Sequence, residues 1–214
     1  MVSPPANPRA IAFVDGQNLF HAAKKAFGYT FPNFDARRLA EHICANQGWT
    51  LAQVRFCTGV PDATDNTFWH HFWTHKLAHM GRTGVLVYSR ALRYHNQSIM
   101  LPDGTEHTVL VGREKGIDVR LALDLVTLAI DGHYDVGLIL SQDQDLSEAV
   151  EDVKLIARQK GRWVRMASAY PWSPTATNKR GIDKTDWIRI DKAMYDACID
   201  RRDYRPKKPP TSRP

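Results

Sequence analysis

Residues Ile11–Phe20 read IAFVDGQNLF. Four consecutive apolar residues, Ile11 to Val14, with no polar position to mark a wet face, predict a short strand buried on both sides. The run ends in Asp15, Gly16 and Asn18, so Asp15 falls where the carboxyl end of a strand opens into a loop. Open α/β sheets keep their ligands there. Asp15 serves equally well as the N-cap of the helix that follows. A second stretch, Leu138–Leu146, reads LILSQDQDL, again an apolar run followed at once by acids, Asp143 and Asp145. Two acidic strand ends define a candidate site.

Working outward, Leu19–Phe27 is expected to form a helix closed by Gly28, and Asp35 to cap a second helix reaching about Asn46. Val54–Val60 reads as a strand, Thr67–Met80 as an aromatic helix and Val85–Ser89 as a third strand. This alternation calls for a parallel sheet with right-handed crossovers. Leu92–Leu101 and His107–Val111 flank the turn residues Pro102-Asp103-Gly104 and predict a β-hairpin beside or beyond the third strand. Ile117–Ile130 has helical spacing, with Val119, Leu123, Val126 and Ile130 expected on its buried face. Val136–Leu140 is the fourth strand, a helix runs from about Asp145 to Gln159, and Trp163–Ala167 is the fifth strand. A loop over Tyr170–Lys184, a short strand at Trp187–Ile190 and a helix opened by Asp191 complete the chain.

The fold class is therefore α/β, with a central, mainly parallel sheet and a hairpin extension. The expected organisation is a disordered N-terminus over 1–9, a domain over 10–170, an extension with a short strand and helix over 171–200, and a tail over 201–214.

The chain has 214 residues, 43% hydrophobic and 24% charged, as in one ordinary globular domain. No run approaches the roughly 18 apolar residues of a membrane span, so no membrane partner is expected. Cys44, Cys57 and Cys198 are odd in number, far apart and without a CxxC pair. They argue for a reducing, cytoplasmic setting and against a disulfide or zinc framework. The net charge is +6, but Arg201–Pro214 holds six basic residues against one acid and carries five of those charges. The body is nearly neutral, and the basic Pro-rich tail reads as a solvated end that can still gather polyanions.

Asp15, Asp143 and Asp145 lie at strand ends, and Asp118 lies in the first turn of the helix before the fourth strand. With the usual switch point the first and fourth strands are neighbours, which brings these acids together. Clustered carboxylates repel one another unless a cation neutralises them. An oxygen-only donor set suits Mg²⁺ or Mn²⁺, and such a site polarises a phosphodiester. Each member has a plainer use: Asp143 or Asp145 as an N-cap, Asp118 complementing a helix dipole, Asn18 capping its own helix. Ser141 either donates to a phosphate or bonds the local backbone, and Asp124 reads as structural because it points to another face of its helix.

FVDGQNL (Phe13–Leu19), EKGIDVRLALDL (Glu114–Leu125) and LILSQDQDL (Leu138–Leu146), in this order and spacing, resemble the NYN-domain family of PIN-like nucleases, in particular its LabA/DUF88 branch. The resemblance spans about Ala10 to Ala167. It implies a Rossmann-like (PIN-like) three-layer fold with helices on both faces, and a Mg²⁺- or Mn²⁺-dependent endoribonuclease acting on single-stranded or structured RNA. The family's acidic positions fall on Asp15, Asp118, Asp143 and Asp145 and its polar partner on Asn18. Lys115 and Ser141 are then candidates to touch the phosphate. Gln142 and Gln144 stand where the family often has small residues, so they are candidate substrate contacts. A non-catalytic module of the same fold, binding RNA or protein, is the alternative, and the resemblance leaves room for a homodimer.

His71, His75 and His79 recur every four residues, but Phe72 stands where a zincin has its Glu. Trp69, Phe72, Trp73, Leu77 and Met80 make a coherent core face there, with the His stripe outward.

Overall fold

A computed structural model describes residues 2–113 and 115–206. Met1, Glu114 of the second motif, and residues 207–214 of the expected tail lie outside them. The elements run β1 (Arg9–Asp15), α1 (Gly16–Phe27), α2 (Ala36–Gln47), β2 (Thr50–Val60), α3 (Thr67–Arg82), β3 (Leu86–Ala91), β4 (Arg93–Met100) and β5 (Glu106–Arg113). There follow α4 (Ile117–Ile130), β6 (Val136–Leu140), α5 (Leu146–Gln159), β7 (Arg165–Pro171), β8 (Asp186–Ile190) and α6 (Lys192–Ala197).

Strand β1 is buried at every position after Arg9 because it lies inside a six-stranded parallel sheet, in the order β3-β2-β1-β6-β7-β8. Its side chains alternate between two cores, as the period of two demands. Ala10, Ala12 and Val14 pack with residues of α1, α2, α3 and α6, while Ile11 and Phe13 pack with α4 and α5. The chain leaves β1 toward β2 and β3, then returns to the other side at β6. The switch point therefore falls between β1 and β6, paired from Ala10↔Val136 to Val14↔Leu140. A Rossmann-like α/β fold with a central parallel sheet is what the structure shows.

Hairpin β4–β5 forms a separate antiparallel sheet beyond β3. Asp103 Oδ1 accepts from the Thr105 backbone N–H at 3.0 Å to close its turn. Helix α1 starts at Gly16, three residues before the expected Leu19. A Cβ on Gly16 would meet Phe56 Cζ at 2.5 Å, so only glycine lets the chain turn here without displacing the core. Strand β7 runs on to Pro171, taking in a buried Tyr170 that the sequence suggested for a loop.

The expected inner face of α4 is a correction. Val119, Leu123 and Ile130 are 57%, 56% and 44% exposed, and Val126 is half-buried; Ile117, Leu121, Leu125 and Ala129 face the core instead. The helix is apolar around most of its circumference, so periodicity alone does not choose a face. Asp124 does help choose it: buried, it accepts from Arg55 Nε at 2.7 Å and pairs with Arg120 Nη2 at 2.5 Å, fixing the helix to β2.

On α3, Phe72, Trp73, Leu77 and Met80 are buried and Trp69 partly so. The His71 and His75 rings lie 3.9 Å apart on the outer side. Lys76 was not expected inside, yet it is 1% exposed and donates to the Phe34 carbonyl at 2.9 Å and to Asp200 Oδ2 at 3.4 Å. Tyr204, also buried, donates to the same Asp200 oxygen at 2.6 Å, so the chain packs on the domain beyond residue 200. Among the described residues no helix is long and apolar enough to cross a membrane.

Candidate active site

At the switch point the backbone places acids from three elements around one cleft. Asp15 is the last residue of β1, at an odd position like Ile11 and Phe13, so it faces the α4 side of the sheet. Gly116, at φ +77, lets the chain enter α4 in a left-handed conformation, which sets Asp118 in the first turn. Asp143 follows β6 directly. A cleft of about 300 Å³ is lined by Asp15, Lys115, Gly116, Ile117, Asp118 and Asp143.

Asp15 is buried, and the lost hydration pushes its carboxyl up to about 6, with the Asp143 charge adding to the shift. Hydrogen bonds from the Asn18 and Gln17 backbone N–H groups and from the Ser141 hydroxyl oppose it. The Asn18 bond, at 3.0 Å to Oδ1, makes Asp15 the N-cap of α1 as well as a wall of the cleft. Asp15 thus caps α1 while its carboxylate lines the cleft.

Asn18 reaches across the switch point: its Oδ1 accepts from the Gln142 backbone N–H at 2.9 Å. Ser141 is buried beneath the cleft, where its Oγ accepts from Asp143 N–H at 3.1 Å. Asp143 Oδ1 in turn accepts from Asp145 N–H at 3.1 Å. Asp145 itself is exposed and does not line the cleft; it precedes α5 without a side-chain cap bond. The four-acid cluster expected from sequence is three carboxylates in one cleft plus one outside it.

The side chains of Gln142 and Gln144 bond the loop between β7 and β8. Gln142 Nε2 donates to the Arg180 carbonyl at 2.7 Å, and Gln144 Nε2 donates to the Gly181 carbonyl at 2.9 Å. Gln144 Oε1 accepts from Asp183 N–H at 3.1 Å. Together they fasten the loop between β7 and β8 to the edge of the site. Sequence reasoning expected a loop here but not its attachment to the site; the two long amides where the family often has small residues were the only signal of it.

The donor chemistry fits a hard divalent cation. Three carboxylates share one cleft, and the charge of Asp143 raises the carboxyl of Asp15, a repulsion that a cation offsets. The side chains are not drawn into a tight cage: among the described residues no three His, Cys, Asp or Glu groups stand close enough to hold a metal ion as placed.

Comparison with functionally curated proteins returns no match. Among solved structures, a Vibrio parahaemolyticus RIMD 2210633 protein of unknown function aligns with a TM-score of 0.52 at 20% identity, over 89% of this chain and 97% of that one. That likeness speaks to the fold alone. The family model described as the NYN domain matches residues 9–184, most of the chain and all three motifs. The chain belongs to the NYN-domain family, within the PIN-like nuclease superfamily.

Proposed function

We propose that the chain is a Mg²⁺- or Mn²⁺-dependent ribonuclease that hydrolyses RNA phosphodiester bonds at the β1–β6 switch point. The observation carrying this reading is the cleft shared by Asp15, Asp118 and Asp143, acids delivered by three separate elements to one open edge. Asp15 caps α1, Asp143 bonds the Asp145 backbone and Asp118 stands in the first turn of α4, but these local uses do not call for a shared cleft. These three carboxylates would hold the cation, which when bound stabilises charge on phosphoryl oxygens and eases deprotonation of water.

The remaining roles belong to the chain's own groups. Lys115, which lines the same cleft, would meet a non-bridging phosphate oxygen. Ser141 holds both Asp15 and the Asp143 backbone, keeping two donors in register. Asn18 ties the β1 and β6 loop ends together and so acts as a positioning residue. Asp145 positions Asp143 through its backbone N–H instead of entering the cleft. Gln142 and Gln144 act on the site through the loop they hold.

A non-catalytic module of the same fold, binding RNA or protein, is favoured by one observation, the absence among the described residues of a contracted ligand cage. Incubation of labelled single-stranded RNA, structured RNA and single-stranded DNA with Mn²⁺, Mg²⁺ or EDTA separates the two. Metal-dependent cleavage of RNA supports the nuclease. RNA binding with no cleavage under any metal supports the module.

A further inference from the structure

Directly opposite each other at the base of the β4–β5 hairpin stand Arg93 and Arg113, both exposed. Like charges in this register repel, with Cβ atoms about 5 Å apart in such pairs. Among the described residues neither forms an ion pair. Two residues beyond Arg113, Lys115 lines the acidic cleft. Arg90, at the end of β3, donates through Nη1 to the Lys115 carbonyl at 3.4 Å and through Nε to Tyr88 Oη at 2.6 Å, with no carboxylate partner among the described residues. The acids of the hairpin within the described residues, Asp103 and Glu106, lie at its far end. Among the described residues the hairpin base thus presents a run of exposed cations, Arg93 and Arg113 without an ion pair, that begins beside the acidic cleft.

We propose that Arg90, Arg93, Arg113 and Lys115 form a rim that binds the phosphate backbone of single-stranded RNA and leads it over the cleft. The choice of RNA rests on the proposed nuclease reading. An acidic cleft repels a polyanion, so an adjacent cationic track must supply the attraction that brings substrate to it. Phosphates lying between the two guanidinium groups remove the repulsion that the free hairpin carries, and guanidinium suits phosphate oxygens in paired hydrogen bonds. By the period of two, His95, Gln97 and His107 share the face of Arg93 and Arg113, each opposite an apolar residue, Val111, Val109 and Ile99.

The test is fluorescence anisotropy of a labelled 20-nucleotide single-stranded RNA, in EDTA to prevent cleavage, from 50 to 200 mM salt. It compares the full chain with Arg93→Gln/Arg113→Gln, and with Arg82→Gln, exposed at the carboxyl end of α3, as a remote charge control. Losing two phosphate contacts should weaken binding about 25-fold at 0.1 M salt and flatten the log–log salt slope by about 1.4, while Arg82→Gln changes neither. Equal affinity and slope for the double variant would overturn the proposal, as would an acidic peptide that binds the rim while RNA does not. Hairpin-dependent RNA binding by a protein that never cleaves upholds the rim and removes the nuclease. Metal-dependent cleavage with hairpin-independent binding does the reverse.

Discussion

The backbone N–H of Gln142 donates to the side-chain oxygen of Asn18 at 2.9 Å, joining the loop after β6 to the first turn of α1, 124 residues away in sequence. Through this bond the first turn of α1 and the loop after β6 keep one geometry, and Asp15 and Asp143 are held beside the same cleft. Asn18→Ala removes the acceptor and leaves a part-buried amide unpaired. The expected loss of stability is about 1–3 kcal/mol, read from urea denaturation, with Asn18→Asp retaining most of it because an acceptor remains. Equal midpoints for the alanine variant and the wild type would show that the bond does not tie the loops.

Asp15 makes the metal-free protein sensitive to pH. Its carboxyl is pushed from 3.8 up to about 6, chiefly by burial, so the folded state holds its proton more tightly than the unfolded chain does. The resulting stabilisation is complete below pH 3.8 and is lost as pH rises through about 6. In EDTA, Asp15→Asn should therefore gain stability relative to wild type between pH 4 and pH 7, by up to about 3 kcal/mol, since asparagine also caps a helix. A difference between the two proteins that stays flat across this range would contradict the burial of an ionisable Asp15.

Lys76 and Asp200 join α3 to the segment after α6, with the Lys76 side chain 1% and the Asp200 side chain 6% exposed. Removing one partner leaves a buried charge. Lys76→Met should cost about 3–5 kcal/mol by chemical denaturation, and Lys76→Met/Asp200→Asn should recover part of it. A surface-like cost below about 1 kcal/mol for the single variant would place the pair in solvent.

The glutamine clasps predict a change in protease sensitivity. Lys179 and Arg180 sit in the loop that Gln142 and Gln144 hold. Gln142→Ala/Gln144→Ala should speed tryptic cleavage at these two positions while the melting temperature moves by only a few degrees, because the core is untouched. Unchanged cleavage there would mean that β7 and β8 position the loop unaided.

The legible parts of this fold are those where one local pattern leaves one interpretation. IAFV before an acid and glycine reads as a central strand, which β1 is, and the Asp35 and Asp191 caps are local hydrogen bonds to their own helices. The face of α4 was not legible because IDVRLALDLVTLAI is apolar nearly all round, and its docking is settled by the distant Arg55. Lys76 reads as solvent-facing until Asp200 arrives from 124 residues away. In the site, Asp143 and Asp145 are indistinguishable in SQDQDL. Only the turn after β6 decides that Asp143 enters the cleft while Asp145 offers its backbone. The loop held by the two glutamines depends on contacts 36 to 39 residues apart, beyond any local signal.

The measurement that bears most directly on the proposed chemistry is cleavage of end-labelled RNA in Mn²⁺ by the wild type and by Asp15→Asn, Asp118→Asn, Asp143→Asn and Asp145→Asn, each first shown to melt cooperatively. A cation held by the cleft predicts losses of about 100-fold or more for the first three. Asp145→Asn should lose less than about tenfold, because its contribution runs through the backbone. Wild-type rates from Asp15→Asn and Asp143→Asn would contradict a catalytic cleft at the β1–β6 switch point.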